Sequence, residues 1–376
     1  MAYAAPLDRV VTPSDVSRHA WRALVTRCAP SDPKLLPEVA VDAAARGQPL
    51  LYWRTDGAGA SLAVLERRRL RLARAPGIGR LTTIDALRVV GNDVFGDVDG
   101  PSAAQFVDAM CALLERGRAD GVLFDDLAVD SPLAGPIAAA QAARRVAVYR
   151  PSPPQAHWYI EFPSPPDRYW KSVSSKTRYK LRRKARAFEH HLLRVTERRD
   201  VAAFLDKARA ISERSWQGKR LGPRIRGAAD EARRAERLAD AGALRSYLLE
   251  APDGTPLAFV LGSQWRGRYL HEETGYDMSR AELSPGIVLQ YRMLEDLVAH
   301  DTPDILDFGA GDAEYKRSLA NVRGDSGRLV MLRRAPGPRI ARGVAAAYGA
   351  SEARARAILR RAGFYERARR VYRGRT

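Results

Sequence analysis

Cysteine is nearly absent. Cys28 and Cys111 are the only two in 376 residues. No histidine stands near either at a ligand spacing, which argues against a disulfide framework and against a zinc site. The metal set is read as none, and the composition fits a reducing cytoplasm. Long apolar runs are also missing. None approaches the roughly 18 residues of a membrane helix, and the start of the chain lacks a basic region followed by an apolar stretch, so the expected location is cytoplasmic. Lysine is scarce among the 63 basic residues and occurs only at Lys34, Lys171, Lys176, Lys180, Lys184, Lys207, Lys219 and Lys316.

What is present describes a folded chain: 45% of residues are hydrophobic, 28% are charged, and the 23 prolines are scattered. The length suggests two domains, or three. The formal charge is +19, and it is concentrated. From Arg168 to Arg186 there are nine basic residues and no acid, and from Arg333 to the end thirteen arginines face two glutamates. The rest of the chain is close to neutral. This distribution indicates an anionic ligand, unlike a uniformly basic nucleic-acid coat.

Residues 1–150 read as a mixed α/β unit. Short strands at 50–53 and 61–65 flank a glycine turn, an amphipathic helix covers 105–116, and further strands cover 121–124 and 146–149. The proline-rich stretch 150–155 is the best linker. Beyond it come a strand at 158–162, one long basic helix over 167–189, and a helix over 201–216. Three strands at 244–249, 257–264 and 268–274 follow, joined by hairpin-type turns. A helix over 287–300, a strand at 305–308, a short helix over 312–319 and a strand at 328–332 complete the unit. Residues 339–373, broken by Gly349 and Gly363, read as two or three short basic amphipathic helices.

This order, together with the stretch Tyr169 to Arg183, the strand end Thr274-Gly275-Tyr276-Asp277, the Ser284-Pro285-Gly286 turn and the run Leu306 to Lys316, resembles the GNAT acyl-CoA N-acyltransferase superfamily. Within it, the chain resembles the cellulose-biosynthesis-type acetyltransferase branch, which is related to the Fem-type aminoacyl transferases. The resemblance implies an α/β (α+β) fold of two GNAT-like lobes, each a mixed, mostly antiparallel sheet with flanking helices, plus a basic helical tail. The divisions are 1–150, 151–335 and 336–376. It also implies acyl-CoA, acetyl-CoA foremost, as co-substrate, and a small-molecule, saccharide or cell-envelope acceptor.

Carried onto these residues, the resemblance makes the helix start at Ser284 and Gly286 the pyrophosphate site, because a capped helix end presents free N–H groups and Gly286 permits close approach. It makes Tyr315 the acid that protonates the departing thiolate, a transfer uphill by roughly 2 kcal/mol. Lys316 is a candidate for CoA phosphates or for an ion pair with Asp307 or Asp312. The strand end at Thr274 is where the thioester slot would open. An amine acceptor needs a base, and Glu273, then Asp277, are the carboxylates in place. Glu272 and Glu273 are expected on opposite faces of the strand, and His271 is a further possibility. Lys176, Arg178, Trp216 and Asp307 are candidates for substrate binding.

Two rival readings stay open. In the first the donor is aminoacyl-tRNA and the basic segments grip RNA. In the second the chain is a non-catalytic GNAT-like subunit, or contacts a membrane through its basic tail.

Overall fold

The computed structural model describes residues 9–27, 32–42, 49–56, 59–73, 77–215, 225 and 229–361. The first part of the chain supplies β1 (Val10–Val11), β2 (Leu50–Asp56), β3 (Gly59–Arg71), β4 (Thr83–Val89), β5 (Phe95–Gly96), β6 (Gly121–Ala128) and β7 (Ala147–Tyr149). Its helices are α1 (Arg18–Arg27), α2 (Pro37–Asp42), α3 (Gly100–Glu115) and α4 (Ala134–Ala142). The second part supplies β8 (Gln155–Glu161), β9 (His191–Val195), β10 (Ser246–Glu250), β11 (Pro256–Trp265), β12 (Arg268–Tyr276), β13 (Ile305–Ala310) and β14 (Val322–Leu332). Its helices are α5 (Tyr169–Ser172), α6 (Ser175–Ala185), α7 (Val201–Arg214), α8 (Ala229–Asp240), α9 (Pro285–His300), α10 (Glu314–Leu319) and α11 (Pro336–Arg361).

All fourteen strands join one mostly antiparallel sheet in the order β1-β2-β3-β4-β6-β14-β8-β13-β12-β11-β10-β9, with β5 on β3 and β7 on β14. The division read near residue 150 falls between β7 and β8, but the sheet passes across it. Residues Val322 to Ser326 of β14 pair with β8, while Ser326 to Leu332 pair with β6. The core crosses too. Trp21, Leu35, Leu51 and Leu62 from the first part share one buried cluster with Phe204, Ile211, Leu248 and Phe259 from the second.

Local chemistry moves several boundaries. The carboxylate of Asp99 accepts from Ser102 N–H and caps α3, so that helix starts at Gly100 rather than 105. The predicted basic helix over 167–189 is two helices. Val173 is extended, and the Ser174 hydroxyl accepts from Thr177 N–H to begin α6 afresh. α11 runs unbroken through Gly349 to Arg361, where a break at Gly349 was expected; the break expected at Gly363 lies outside the described residues. Ala341 and Ala345 hold it against Leu72, Ile84, Leu123, Val330 and Leu332. Among the described residues no helix is long and apolar enough to cross a membrane.

Candidate active site

β12 and β13 run side by side in parallel but pair only from Arg268–Ile305 to Leu270–Asp307. Beyond that point β12 continues to Tyr276 and β13 to Ala310 without further pairing between them, so the two strands part in the middle of the sheet. On the other edge of β12 the register with β11 shifts: Gly262 faces His271 while Leu261 faces Glu273, leaving Glu272 as the extra residue of a bulge. The bulge cancels the expected alternation. Glu272 accepts from Ser263 Oγ at 3.0 Å and pairs with Lys34, while Glu273 lies opposite Leu261, which packs in the cluster that contains α7. Directly opposed residues share a face. Both carboxylates therefore stand on the α7 side, contrary to the alternation expected from spacing.

Three rings meet on the α9 side of the parting. The Tyr315 ring lies 5.7 Å from Phe308 and 6.2 Å from His271, and Phe308 lies 5.5 Å from His271. Burial pushes the Tyr315 phenol up, so it stays protonated through the neutral range. Burial also pushes His271 down to about 4, with the Lys316 ammonium adding to the effect. His271 is thus a neutral ring, bound at Nε2 by the Gln290 amide of α9 at 2.9 Å. Gln290 is itself buried, and its carbonyl oxygen has no partner among the described residues.

The opposite face carries a network that spacing in the sequence does not reveal. Asp307 Oδ1 lies 2.6 Å from His157 Nε2 and accepts from Gly309 N–H at 2.7 Å, while Oδ2 accepts from Arg268 at 2.6 Å. His157 Nδ1 lies 2.8 Å from Ser326 Oγ. All of His157, Asp307 and Ser326 are buried. Burial alone would raise the Asp307 carboxyl, but His157 and Arg268 outweigh it and hold that group well below the usual carboxylate range.

The other predicted residues are dispersed. Asp277 is tied to Arg214 at 2.9 Å and caps the following turn through Ser279 N–H. The Thr274 hydroxyl donates to Phe259 O at 2.9 Å. Ser284 does not cap α9 with its side chain: its backbone is left-handed, with φ of 53°, and its hydroxyl accepts from Lys184 at 2.8 Å. Gly286 sits beside Tyr276. The Lys316 ammonium pairs with neither Asp307 nor Asp312. It is buried and donates to Gly309 O and Ala310 O at 2.9 and 3.0 Å, fixing the end of β13, while Asp312 pairs with Arg317. Lys176 is exposed and Arg178 half-buried on α6. Trp216 lies outside the described residues. Among the described residues no group of three His, Cys, Asp or Glu is placed to hold a metal.

Residues 175–317 match the acetyltransferase (GNAT) domain family. No curated protein has a matching sequence. Among solved structures the chain is similar to FemX, with 14% identity and a TM-score of 0.55 over 84% of this chain and 96% of that one. It is also similar to the C-terminal domain assigned to a lysylphosphatidylglycerol synthetase of Agrobacterium fabrum, with 11% identity and a TM-score of 0.50 over 83% and 90% of the two chains. A tandem GNAT protein from the clavulanic acid biosynthesis pathway gives 16% identity and a TM-score of 0.47 over 87% and 98%. The fold is GNAT-like, a mixed α/β architecture whose second part holds the residues that match the acetyltransferase family.

Proposed function

We propose that the protein transfers an acyl group from acyl-CoA, acetyl-CoA foremost, to an amine or hydroxyl of a small-molecule, saccharide or cell-envelope acceptor. The observation that carries this reading is the parting of β12 and β13 beside the protonated Tyr315. A thioester can enter between strands that no longer pair with each other, and Tyr315, beside that opening, would be the proton donor to the leaving sulfur. The orphaned Gln290 carbonyl fits the same ligand, since the pantetheine arm supplies amide N–H donors. Gly286 at the start of α9, with Lys184 and Ser284 beside it, would receive the phosphates. Glu273 is the first of the predicted bases, and Asp277, which is tied to Arg214, the second. Residues 151–335 are read as the transferase lobe, 1–150 as a degenerate partner lobe and 336–376 as an appended basic segment. The expected location is cytoplasmic, and the cellulose-biosynthesis-type branch is the finer family reading.

The test is a melting-temperature panel of CoA and acyl-CoAs, followed by mass detection of an acylated amine with ethanolamine as acceptor. A saturable acyl-CoA shift is expected. No shift with any acyl-CoA, in a protein that melts cooperatively, overturns the reading.

A second reading, with aminoacyl-tRNA as donor, has one specific observation in its favour. Among the described residues, none of the nine basic side chains from Arg168 to Arg186 forms an ion pair, and Lys176, Lys180, Arg182 and Arg183 are exposed together on α6. Steeply salt-dependent binding of tRNA at that face, with no response to CoA, would select it.

A further inference from the structure

The Asp307, His157 and Ser326 side chains form a chain of hydrogen bonds joining three adjacent strands, β13, β8 and β14. Its direction follows from its inner end. Asp307 is ionised and can only accept, so His157 Nε2 carries a proton and donates to it. In the ring form that holds a single proton, Nδ1 is then the acceptor and the Ser326 hydroxyl donates to it. Carboxylate, imidazole and hydroxyl are thus ordered so that the hydroxyl can pass its proton inward.

The outer end, although buried, stands in the wall of a cleft. Ser326 lines a cleft of about 720 Å³ at the junction of the two parts of the chain, walled also by Arg71, Asp126, Gln155, Ala310 and Tyr348. Ala310 belongs to the parted end of β13, so the cleft adjoins the strand that borders the thioester opening. The volume suits a small polar molecule. Asp126 makes no hydrogen bond or ion pair among the described residues and is available to a bound ligand.

We propose that Ser326 is a catalytic residue at the floor of an acceptor cleft, and that His157 and Asp307 position it as the mouth of a proton relay. This deepens, and rests on, the acyl-transfer reading. As the acceptor oxygen or nitrogen bonds to the acyl carbon, its proton passes to Ser326 Oγ while the Ser326 proton passes to His157 Nδ1. The carbon–sulfur bond breaks, and Tyr315 protonates the sulfur. The imidazolium held against Asp307 returns its proton to Tyr315 through solvent, so none is gained or lost. The charged and titratable groups around His157 are Asp307 from β13, Arg268 from β12, Asp126 from β6 and Tyr159, whose ring stacks on it at 4.5 Å, with Lys316 of α10 acting on Asp307.

Two variants of the full chain test the relay, Ser326→Ala and His157→Gln. The glutamine can keep hydrogen bonds to both neighbours but cannot take up a proton. With acetyl-CoA and ethanolamine, both variants should lose about 100-fold in kcat. KM for acetyl-CoA and the melting temperature should hold. Wild-type turnover in either variant overturns the proposal, because Glu273 would then suffice as base. So does an acyl ester found on Ser326 by mass spectrometry. A separate readout needs no turnover. In histidine-¹⁵N spectra of the unliganded protein at pH 8, His157 should be protonated at Nε2, and Ser326→Ala should shift its Nδ1 resonance. A ring protonated at Nδ1 refutes the relay even if wild-type protein fails to use acetyl-CoA, whereas failed turnover with the Nε2 form intact counts against the donor reading alone.

Discussion

Lys34, from the first part of the chain, forms a 3.0 Å ion pair with Glu272, the bulged residue of β12. Their side chains are only 14% and 18% exposed, so the pair ties the two parts of the molecule at the strand that borders the candidate site. Burial pushes the Glu272 carboxyl up, and Lys34 with Arg234 more than offsets it, leaving the group below its usual value of 4.5. Lys34→Met strands a buried carboxylate and should cost about 3 kcal/mol in urea unfolding. The loss should be full only well above pH 4.5, where the stranded carboxylate of the variant is still ionised, and should shrink as pH falls and Glu272 protonates first in the variant and then in both proteins. A variant as stable as wild type at pH 7 would remove this pair from the account of how the parts are held.

His271 gives a second pH dependence. Its ordinary value of 6.5 falls to about 4 in the fold. Between those limits the unfolded chain binds a proton that the folded one refuses, so stability drops as pH falls. The decline from this residue should be on the order of 3 kcal/mol. His271→Gln should remove it, measured as the difference between the two proteins at pH 7 and pH 4.5. Parallel pH profiles would show that the ring is not buried as described.

Tyr315→Phe keeps the ring contacts with Phe308 and His271 and removes the hydroxyl. kcat should fall about 100-fold while the melting-temperature shift produced by CoA stays within error. Unchanged turnover would assign the leaving-group proton to another donor.

Gly275, next to the strand end at Thr274, has its Cα pressed toward the buried Phe259. A Cβ there would stand 2.7 Å from the ring carbon Cε1. Gly275→Ala should therefore destabilise by about 2 kcal/mol. Combining it with Phe259→Leu should cost less than the two single changes summed, and strict additivity would argue against the contact.

Some of the elements that periodicity announces are found as announced. The apolar positions Phe106, Val107, Met110, Leu113 and Leu114 are all buried on α3. Tyr315 reaches the parting strands from the helix on which its spacing put it. What spacing cannot convey is contact between distant positions. His157 and Ser326 stand 169 residues apart in the sequence, and nothing local marks either. The β12 bulge is equally silent, because one extra residue leaves the residue types unchanged while turning Glu273 to the same face as Glu272. Ser174 reads as one more polar residue in a basic run until its hydroxyl is seen to start a helix.

β14 is the last of the described strands, yet it fills the place between β6 and β7 near the middle of the sheet. On the ribosome the first part of the chain emerges with that place vacant, and the free edge of β6 has no partner until residues up to Leu332 have been made. The two parts consequently reach their final form together, late in synthesis. Any truncation that removes β14 costs the first part its missing strand and leaves an edge open to other chains.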